Sequence, residues 1–252
     1  MANRKGIIPH IPNTITCLNL FSGSIATLMA FEGYLITASI LIGCSAIFDF
    51  CDGLAARILK AYSPMGKELD SLADIISFGF APGAIAFSYL KIGVLGGIDI
   101  DFNPELLSIG TLAILFSAFL IPVFSGLRLA KFNVDTRQTT SFIGMPTPAN
   151  AMFWASWPLV IHWGNYPSIE QIITNPWVII PTILVTSLLL VSELPMFALK
   201  VKSLKWGDNK IRYSFIITLI ILAILVKWLV IPLIILVYIL FSILQNLLDK
   251  QS

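Results

Sequence analysis

Residues 49–74 have the sequence DFCDGLAARILKAYSPMGKELDSLAD and lie between two long apolar runs. The stretch contains four aspartates: Asp49, Asp52, Asp70 and Asp74. The first pair is spaced i, i+3 and the second pair i, i+4, so each pair projects from one face of a helix. A turn at Ala61–Met65 would fold the second helix back against the first. We therefore expect the four carboxylates to converge near one end of a helix pair.

The composition around this stretch indicates a membrane protein. Of the 252 residues, 57% are hydrophobic and only 12% are charged, whereas a soluble domain carries about 25% charge. The mean hydropathy is +0.87. These values disfavour a soluble globular enzyme, a disordered chain and a coiled coil. A bilayer span needs about 20 apolar residues, so the chain has room for about six to eight spans.

The breaks between apolar runs predict an all-α, polytopic membrane helix bundle of about eight transmembrane helices. Backbone groups in lipid must be paired within a helix or a closed barrel, and the alternation typical of a barrel is missing from the sequence. The last run is too long for one span, and we divide it at Lys227-Trp228. The predicted spans are about Asn13–Phe31, Tyr34–Leu59, Gly66–Leu90, Leu106–Phe132, Pro148–Trp163, Trp177–Leu199 and the two halves of Tyr213–Leu248.

The basic residues predict the orientation of the bundle. If the N-terminus is cytoplasmic and the spans alternate, 14 of the 16 lysines and arginines fall on the cytoplasmic side, and only Lys91 and Lys227 do not. This bias follows the positive-inside rule. It predicts that both termini are cytoplasmic and that the number of spans is even. The cytoplasmic set includes Arg4, Lys5, Arg137, Lys200, Lys202, Lys205 and Lys250.

Four aspartates inside apolar helices need a compensating partner, because each costs roughly 2.5–3.5 kcal/mol near a helix centre. An oxygen-only cluster suits Mg²⁺ or Mn²⁺ better than zinc. Two divalent ions would neutralise the four charges and could stabilise phosphoryl transfer. On the acidic residues alone, a proton or cation pathway, as in a cation transporter, and a helix-pinning ion cluster remain open.

Written with its spacing, the stretch is Asp49-x2-Asp52-Gly53-x2-Ala56-Arg57-x8-Gly66-x3-Asp70-x3-Asp74. It resembles the signature of the CDP-alcohol phosphotransferase family at every fixed position. The resemblance implies that the four aspartates share two divalent metals, and that Asp74 also acts as the general base. It further implies a CDP-lipid site at Gly53, Ala56, Arg57 and Gly66. The small residues would let a nucleotide approach the backbone, and the arginine could fork onto a phosphate. Close helix packing is the alternative role of the glycines.

Three further segments resemble the integral-membrane phosphatidylserine synthases, a branch of the same family: Ile11–Gly23, Ser125–Asn133 and Phe142–Asn150. The likeness is good over about residues 8–155 and weak beyond. It implies transfer of a phosphatidyl group from CDP-diacylglycerol to L-serine, giving phosphatidylserine and CMP. Asn13 and Thr16 would contact the nucleotide or cap a helix.

The acceptor is assigned from the cations near the aspartates. Arg128 and Lys131 are the nearest cations that the predicted topology offers on a neighbouring helix end, and we expect them to bind the carboxylate of serine. Arg128 is the first choice, because its planar fork matches a carboxylate, and an interfacial anchor is its alternative role. Glycerol 3-phosphate or an inositol compound remains an alternative acceptor.

The remaining expectations concern the whole chain. We expect a single integral-membrane domain over residues 1–252, with a catalytic core at about 8–155 and C-terminal helices at about 177–248. We expect the protein to lie in the cytoplasmic membrane of a prokaryotic cell, with its site facing the cytoplasm. Membrane lipids are expected partners and nucleic acid is not. The sequence is compatible with a homodimer but does not determine the oligomeric state.

Overall fold

The computed structural model describes residues 10–100, 102–135, 142–164, 166–196 and 209–249, most of which are helical. The basic residues Arg4, Lys5, Arg137, Lys200, Lys202, Lys205 and Lys250 lie outside these ranges. The helices are α1 (His10–Phe31), α2 (Leu35–Leu59), α3 (Pro64–Ile75), α4 (Ala81–Leu95), α5 (Ile109–Phe116), α6 (Leu120–Val134), α7 (Thr147–Gly164), α8 (Pro167–Ile173), α9 (Pro176–Val191), α10 (Lys210–Val226) and α11 (Val230–Asp249).

Several of these helices are long and apolar enough to cross a membrane. The candidate spans are His10–Phe31, Leu35–Leu59, Pro64–Leu95, Ile109–Val134 and Lys210–Leu247, and the bent pair α8–α9 would make a sixth. The chain is therefore an all-helical integral membrane protein, as the composition predicts. The count of eight spans and the orientation of the termini stay predictions, because α7 is not among the candidates and the last two helices are counted together.

The last apolar run is divided at the predicted place. Helix α10 ends at Val226, Lys227 takes a positive φ of 49°, and α11 begins at Val230. The two helices pack against each other. Trp228 stacks on Trp163 at the end of α7, with ring centroids 5.3 Å apart. The turn between α10 and α11 therefore lies at the end of the bundle where α7 ends.

One predicted span is too long. The sequence predicts a helix from Trp177 to about Leu199, but α9 ends at Val191. Pro195 explains the difference, because proline donates no hydrogen bond and disfavours helical geometry in the residue before it. Instead, Pro195–Met196 (β2) pairs antiparallel with Phe142–Ile143 (β1).

Helix α1 is fixed against its neighbours by close backbone contacts. The Asn19 carbonyl accepts hydrogen bonds from the hydroxyls of Ser45 on α2, at 3.2 Å, and Ser77, at 3.0 Å. A Cβ added at Gly23 would lie 2.1 Å from the Ser77 Oγ and 2.6 Å from its Cα. Small residues at such crossings allow helices to approach closely in lipid. Gly23 is therefore a packing residue.

The third span contains a π-helical turn at Ile76–Phe80, directly after Asp74. Pro82 has no N–H to donate to the Phe78 carbonyl, which interrupts regular α-helical bonding. The Ala81 N–H reaches back five residues to Ile76 instead. Such turns are frequent at functional sites.

The π turn also provides the groove that receives α6. A Cβ at Gly79 or at Gly83 would lie 3.2 Å or 3.0 Å from atoms of Pro122. A Cβ at Gly126 would lie 3.0 Å from the Ile75 Cδ1. Helix α6 is thereby held against α3 and the π turn, and this contact carries Arg128 toward Asp74.

The two types of glycine contact predict opposite effects for the same substitution. Gly23→Ala forces the crossing of α1 and the π turn apart, and overpacking of this kind costs about 1–3 kcal/mol. Gly53→Ala meets no atom within 4 Å and gains up to about 1 kcal/mol of helix propensity. Thermal unfolding in detergent should show a clear loss for Gly23→Ala and none for Gly53→Ala. Equal melting temperatures would contradict the packing role of Gly23.

Candidate active site

The carboxylates of three of the four aspartates lie close together. Asp49 on α2 and Asp70 and Asp74 on α3 each bring one carboxylate oxygen to within 4.8 Å of the others. The three residues come from two consecutive helices. We call them the Asp triad.

The turn between α2 and α3 makes this convergence possible. Lys60 ends α2 in the left-handed conformation, with φ of 51°, a common way to terminate a helix. The Ser63 hydroxyl then caps α3 by accepting the Gly66 N–H at 2.9 Å, and Pro64 occupies the first turn. Both features are typical helix-start signals. The chain therefore turns at the predicted place, Ala61–Met65, but α3 packs mainly against α1 rather than back against α2.

Asp52 lies beside the Asp triad but is not one of its members. Its side chain is buried and lines a cavity of about 240 Å³. Asp70 lines the same cavity and also belongs to the triad. Asp70 thus belongs to both the Asp triad and the cavity.

These aspartates fit divalent metal ions. All the donors are carboxylate oxygens, the ligands that Mg²⁺ and Mn²⁺ prefer. In the described part of the chain, the buried Oδ2 of Asp52 and Oδ1 of Asp70 have no hydrogen-bond partner. Bound cations would satisfy these oxygens and offset the repulsion within the group.

Asn19 contacts the Asp triad, a contact that the sequence analysis missed. Its side chain is fully buried, and its Nδ2 donates to the Asp74 Oδ1 at 3.3 Å. Its own Oδ1 is buried without a partner in the described residues. The sequence could have indicated Asn19 as a site residue, because it follows Asn13 by six residues and Thr16 by three and so lies on a neighbouring turn of α1.

The cavity beside Asp70 collects all six residues predicted to contact the CDP-lipid. It opens between α1, α2, the turn after α2 and the start of α3. The predicted residues that line it are Asn13, Thr16, Gly53, Ala56, Arg57 and Gly66. The cavity also contains residues that the sequence analysis did not assign to it: Pro12, Ala61, Tyr62, Ser63 and Lys67.

The two predicted glycines differ in their surroundings. No atom lies within 4 Å of a Cβ added at Gly53, so this residue leaves open space along the cavity. A Cβ at Gly66 would lie 2.9 Å from the Asn13 Oδ1 and 3.0 Å from the Ser63 Oγ. Gly66 therefore lets α1 and α3 approach, whereas Gly53 has no packing role among the described residues.

The two cations predicted to bind serine have different environments. Arg128 is buried, and its Nε donates to the Met145 carbonyl at 3.2 Å. Its guanidinium lies 4.9 Å from the centroid of the Phe132 ring and is acted on electrostatically by Asp74. Lys131 is partly exposed and forms an ion pair with Glu193. The structure brings Arg128, but not Lys131, toward the Asp triad.

Comparison with known proteins matches this arrangement to one family. The family model for CDP-alcohol phosphatidyltransferase matches residues 9–180, more than half of the chain. The chain belongs to the CDP-alcohol phosphatidyltransferase family. The Asp triad, Asp52 and the cavity all fall within the matched residues.

Curated relatives of this CDP-alcohol phosphatidyltransferase domain are named for related reactions. A CDP-diacylglycerol–serine O-phosphatidyltransferase of Mycobacterium leprae is 32% identical over 204 residues, 74% of this chain and 57% of that protein. The Bacillus subtilis protein of that name is 35% identical over 143 residues, 57% of this chain and 72% of the relative. An archaetidylserine synthase of Methanothermobacter thermautotrophicus is 33% identical over 163 residues, 63% of each chain.

The match covers only part of some relatives. The chain spans a little over half the length of the M. leprae protein and of a Helicobacter pylori protein with the same name, 57% and 54%. The match therefore shows the family of this chain, while the reaction in these names is that of the relatives.

The Asp triad predicts metal binding that can be measured without turnover. Asp49→Asn, Asp70→Asn and Asp74→Asn each remove a charged ligand, so Mn²⁺ affinity should fall by more than about tenfold in each, since even outer contacts to a metal are worth 10–100-fold. Titration of the purified protein followed by electron paramagnetic resonance would measure it. Glu68→Gln, an exposed change on the same helix, is the matched control. Unchanged Mn²⁺ affinity in all three Asp variants would exclude the triad as a metal site.

Proposed function

We propose that this protein transfers the phosphatidyl group of CDP-diacylglycerol to L-serine, giving phosphatidylserine and CMP. The observation that carries the proposal is the position of Asp70, which is shared by the Asp triad and the cavity. If the diphosphate of the donor lies at that residue, the nucleotide would occupy the cavity and the phosphorus atoms would lie beside the Asp triad.

The cavity supplies contacts for the cytidine diphosphate part of the donor. Gly53 and Ala56 leave space for the nucleotide along α2, and Arg57 offers a planar fork of donors to a phosphate. Asn13 and Thr16 present a side-chain amide and a hydroxyl from α1, and Gly66 lets α1 lie close to α3. The lipid tails would stay in the bilayer while the nucleotide reaches water.

Asp49, Asp52, Asp70 and Asp74 would hold two divalent cations, Mg²⁺ or Mn²⁺. When bound, these ions would supply charge stabilisation for the diphosphate and the leaving CMP. The carboxylates would hold both ions in fixed positions, because they come from helices ordered by the Ser63 cap and by the packing of α6.

Asp74 acts as the general base. It takes the proton from the serine hydroxyl as the hydroxyl oxygen attacks the lipid-side phosphorus. The new P–O bond forms while the bond from that phosphorus to the oxygen of CMP breaks. The Nδ2 of Asn19 donates to one oxygen of Asp74, which orients this carboxylate. The reaction needs no covalent intermediate on the protein.

Charge favours serine over a phosphorylated acceptor. Arg128 is buried near Asp74, and its Nε is engaged by Met145, so a carboxylate would meet its two terminal nitrogens. Lys131, the other predicted cation, is paired with Glu193. A zwitterion with one carboxylate matches one arginine, whereas glycerol 3-phosphate would bring two negative charges to the Asp triad. Inositol itself is uncharged, so the charge of the acceptor gives no argument against it, and it remains the alternative.

A cation transporter is the rival from another class. It would account for carboxylates inside the bilayer. It would not account for a cavity at Asp70 that gathers Gly53, Ala56 and Arg57, or for the open space at Gly53. Family membership also favours the transferase.

We extend the proposal to the whole chain. The cavity and both termini would face the cytoplasm of a prokaryotic cell, with the chain forming one domain over 1–252 whose catalytic core is about 8–155. Relatives from bacteria and an archaeon support the prokaryotic assignment.

The reaction is tested by CMP release. Purified protein with CDP-diacylglycerol and Mn²⁺ should release CMP with L-serine and much less with glycerol 3-phosphate or inositol. Chelator should abolish release, and Asp74→Asn should abolish it while the protein still binds CDP-diacylglycerol. CMP release with another alcohol alone would replace serine as the acceptor. Ion flux in proteoliposomes without any CMP release would favour the transporter.

The substitutions Arg128→Ala and Lys131→Ala test, one at a time, the two cationic residues predicted to bind serine. Loss of a charge-assisted hydrogen bond costs roughly 1.5–3 kcal/mol, so Arg128→Ala should raise the KM for serine about 10- to 100-fold. Lys131→Ala removes a partly exposed ion pair and should change it little. The KM for CDP-diacylglycerol is the internal control. A larger effect of Lys131→Ala than of Arg128→Ala on serine would reverse the assignment.

A further inference from the structure

Asn150 is a buried polar residue that the mechanism has not used. It lies in the first turn of α7 and is fully buried. Neither its Oδ1 nor its Nδ2 has a hydrogen-bond partner in the described part of the chain. Buried amides are normally paired, and an unpaired one calls for a ligand or another specific explanation.

Helix geometry places Asn150 at the depth of Asp49. Helix α7 packs directly against α2. The start of α2, at Leu35–Thr37, and the end of α7, at Pro158, Ile161 and His162, line one cavity and are therefore level with each other. Asp49 is 12 to 14 residues from Leu35–Thr37 (49 − 37 and 49 − 35), and Asn150 is 8 to 12 residues from Pro158–His162 (158 − 150 and 162 − 150). At about 1.5 Å per residue the midpoints of these two ranges differ by less than one helical turn.

Asn150 lies close in the chain to a residue that contacts Arg128. The CDP-lipid cavity is lined by α1, α2, α3 and the turn after α2, and Asn150 is not among its residues. The chain that enters α7 is tied to Arg128, because the Met145 carbonyl accepts from its Nε. The Asn150 N–H bonds the next carbonyl along, that of Pro146. Asn150 and Arg128 thus belong to the α6–α7 side of the site.

From these observations we propose that Asn150 binds the amino-acid acceptor, an inference that rests on the proposed function. The amide is both an acceptor and a donor. Its Oδ1 accepts from the ammonium group of serine, and its Nδ2 shares the carboxylate with Arg128. A ligand with an ammonium and a carboxylate on one carbon satisfies both orphaned atoms at once. The residue would therefore select an amino acid over other alcohols.

Trp154 provides a matched control. It lies one turn further along α7, is buried, and has an Nε1 without a partner in the described residues. Trp154→Phe removes this donor and keeps an aromatic ring. If unpaired atoms on α7 affect only packing, Trp154→Phe and Asn150→Leu should behave alike.

The test measures serine recognition with and without chemistry. The KM for L-serine comes from CMP release, and binding alone comes from inhibition by L-alanine, which has both charged groups but no hydroxyl. Asn150→Leu should raise the serine KM and the alanine inhibition constant together by about 10- to 100-fold, as expected for lost charge-assisted bonds. The KM for CDP-diacylglycerol should not change. Trp154→Phe should leave all three unchanged.

The outcomes separate the two proposals. If the wild-type protein releases no CMP with serine, the proposed function fails first. If it does, and Asn150→Leu keeps the wild-type serine KM and alanine inhibition constant, only the role of Asn150 is overturned. Should the leucine variant insert poorly, Asn150→Ser removes the amide with less change in polarity. It should raise the same two constants, and wild-type values would overturn the proposal equally.

Discussion

The structure depends on one constraint, the placement of four carboxylates inside apolar helices. Each aspartate is costly in a bilayer core, so the chain must hold all of them where cations and water can reach. The fold meets this by turning the chain sharply between α2 and α3, so that Asp49 meets Asp70 and Asp74 while α3 packs mainly against α1. The turn that brings Asp49 to Asp70 and Asp74 is closed by a left-handed Lys60 and a capping Ser63. Without that turn the carboxylates could not share a counter-charge.

The rest of the bundle arranges helices on two sides of the Asp triad. On one face, α1 lies against α3 closely enough that Asn13 contacts Gly66, and the cavity forms between them. On the other, the π turn after Asp74 presents Gly79 and Gly83 to Pro122 and sets α6 in place. The donor and the acceptor of a transfer reaction would then reach the same carboxylates from different sides.

This division explains why the glycines of the sequence are not equivalent. Gly23 and Gly79 are occupied by neighbouring helices, and a side chain there would separate them. Gly53 faces open space, which is the property needed at a substrate site and of no use to packing. The same residue type thus serves packing in one place and, under the proposed function, would serve ligand access in another.

The sequence by itself determined the membrane character and the two helices that carry the aspartates, because hydropathy and spacings within a few turns of one helix are fixed by local geometry. Six of the residues that line the cavity were expected only from the resemblance to the CDP-alcohol phosphotransferase family, since they lie on three separate helices. The sequence did not determine that Asp52 lies outside the Asp triad, that Asn19 holds Asp74, or that Lys131 is paired with Glu193. Each of these depends on which faces of separate helices meet. That choice is made by close packing at Gly23, Gly79 and Gly83 between residues far apart in the chain, so only the tertiary structure could decide it.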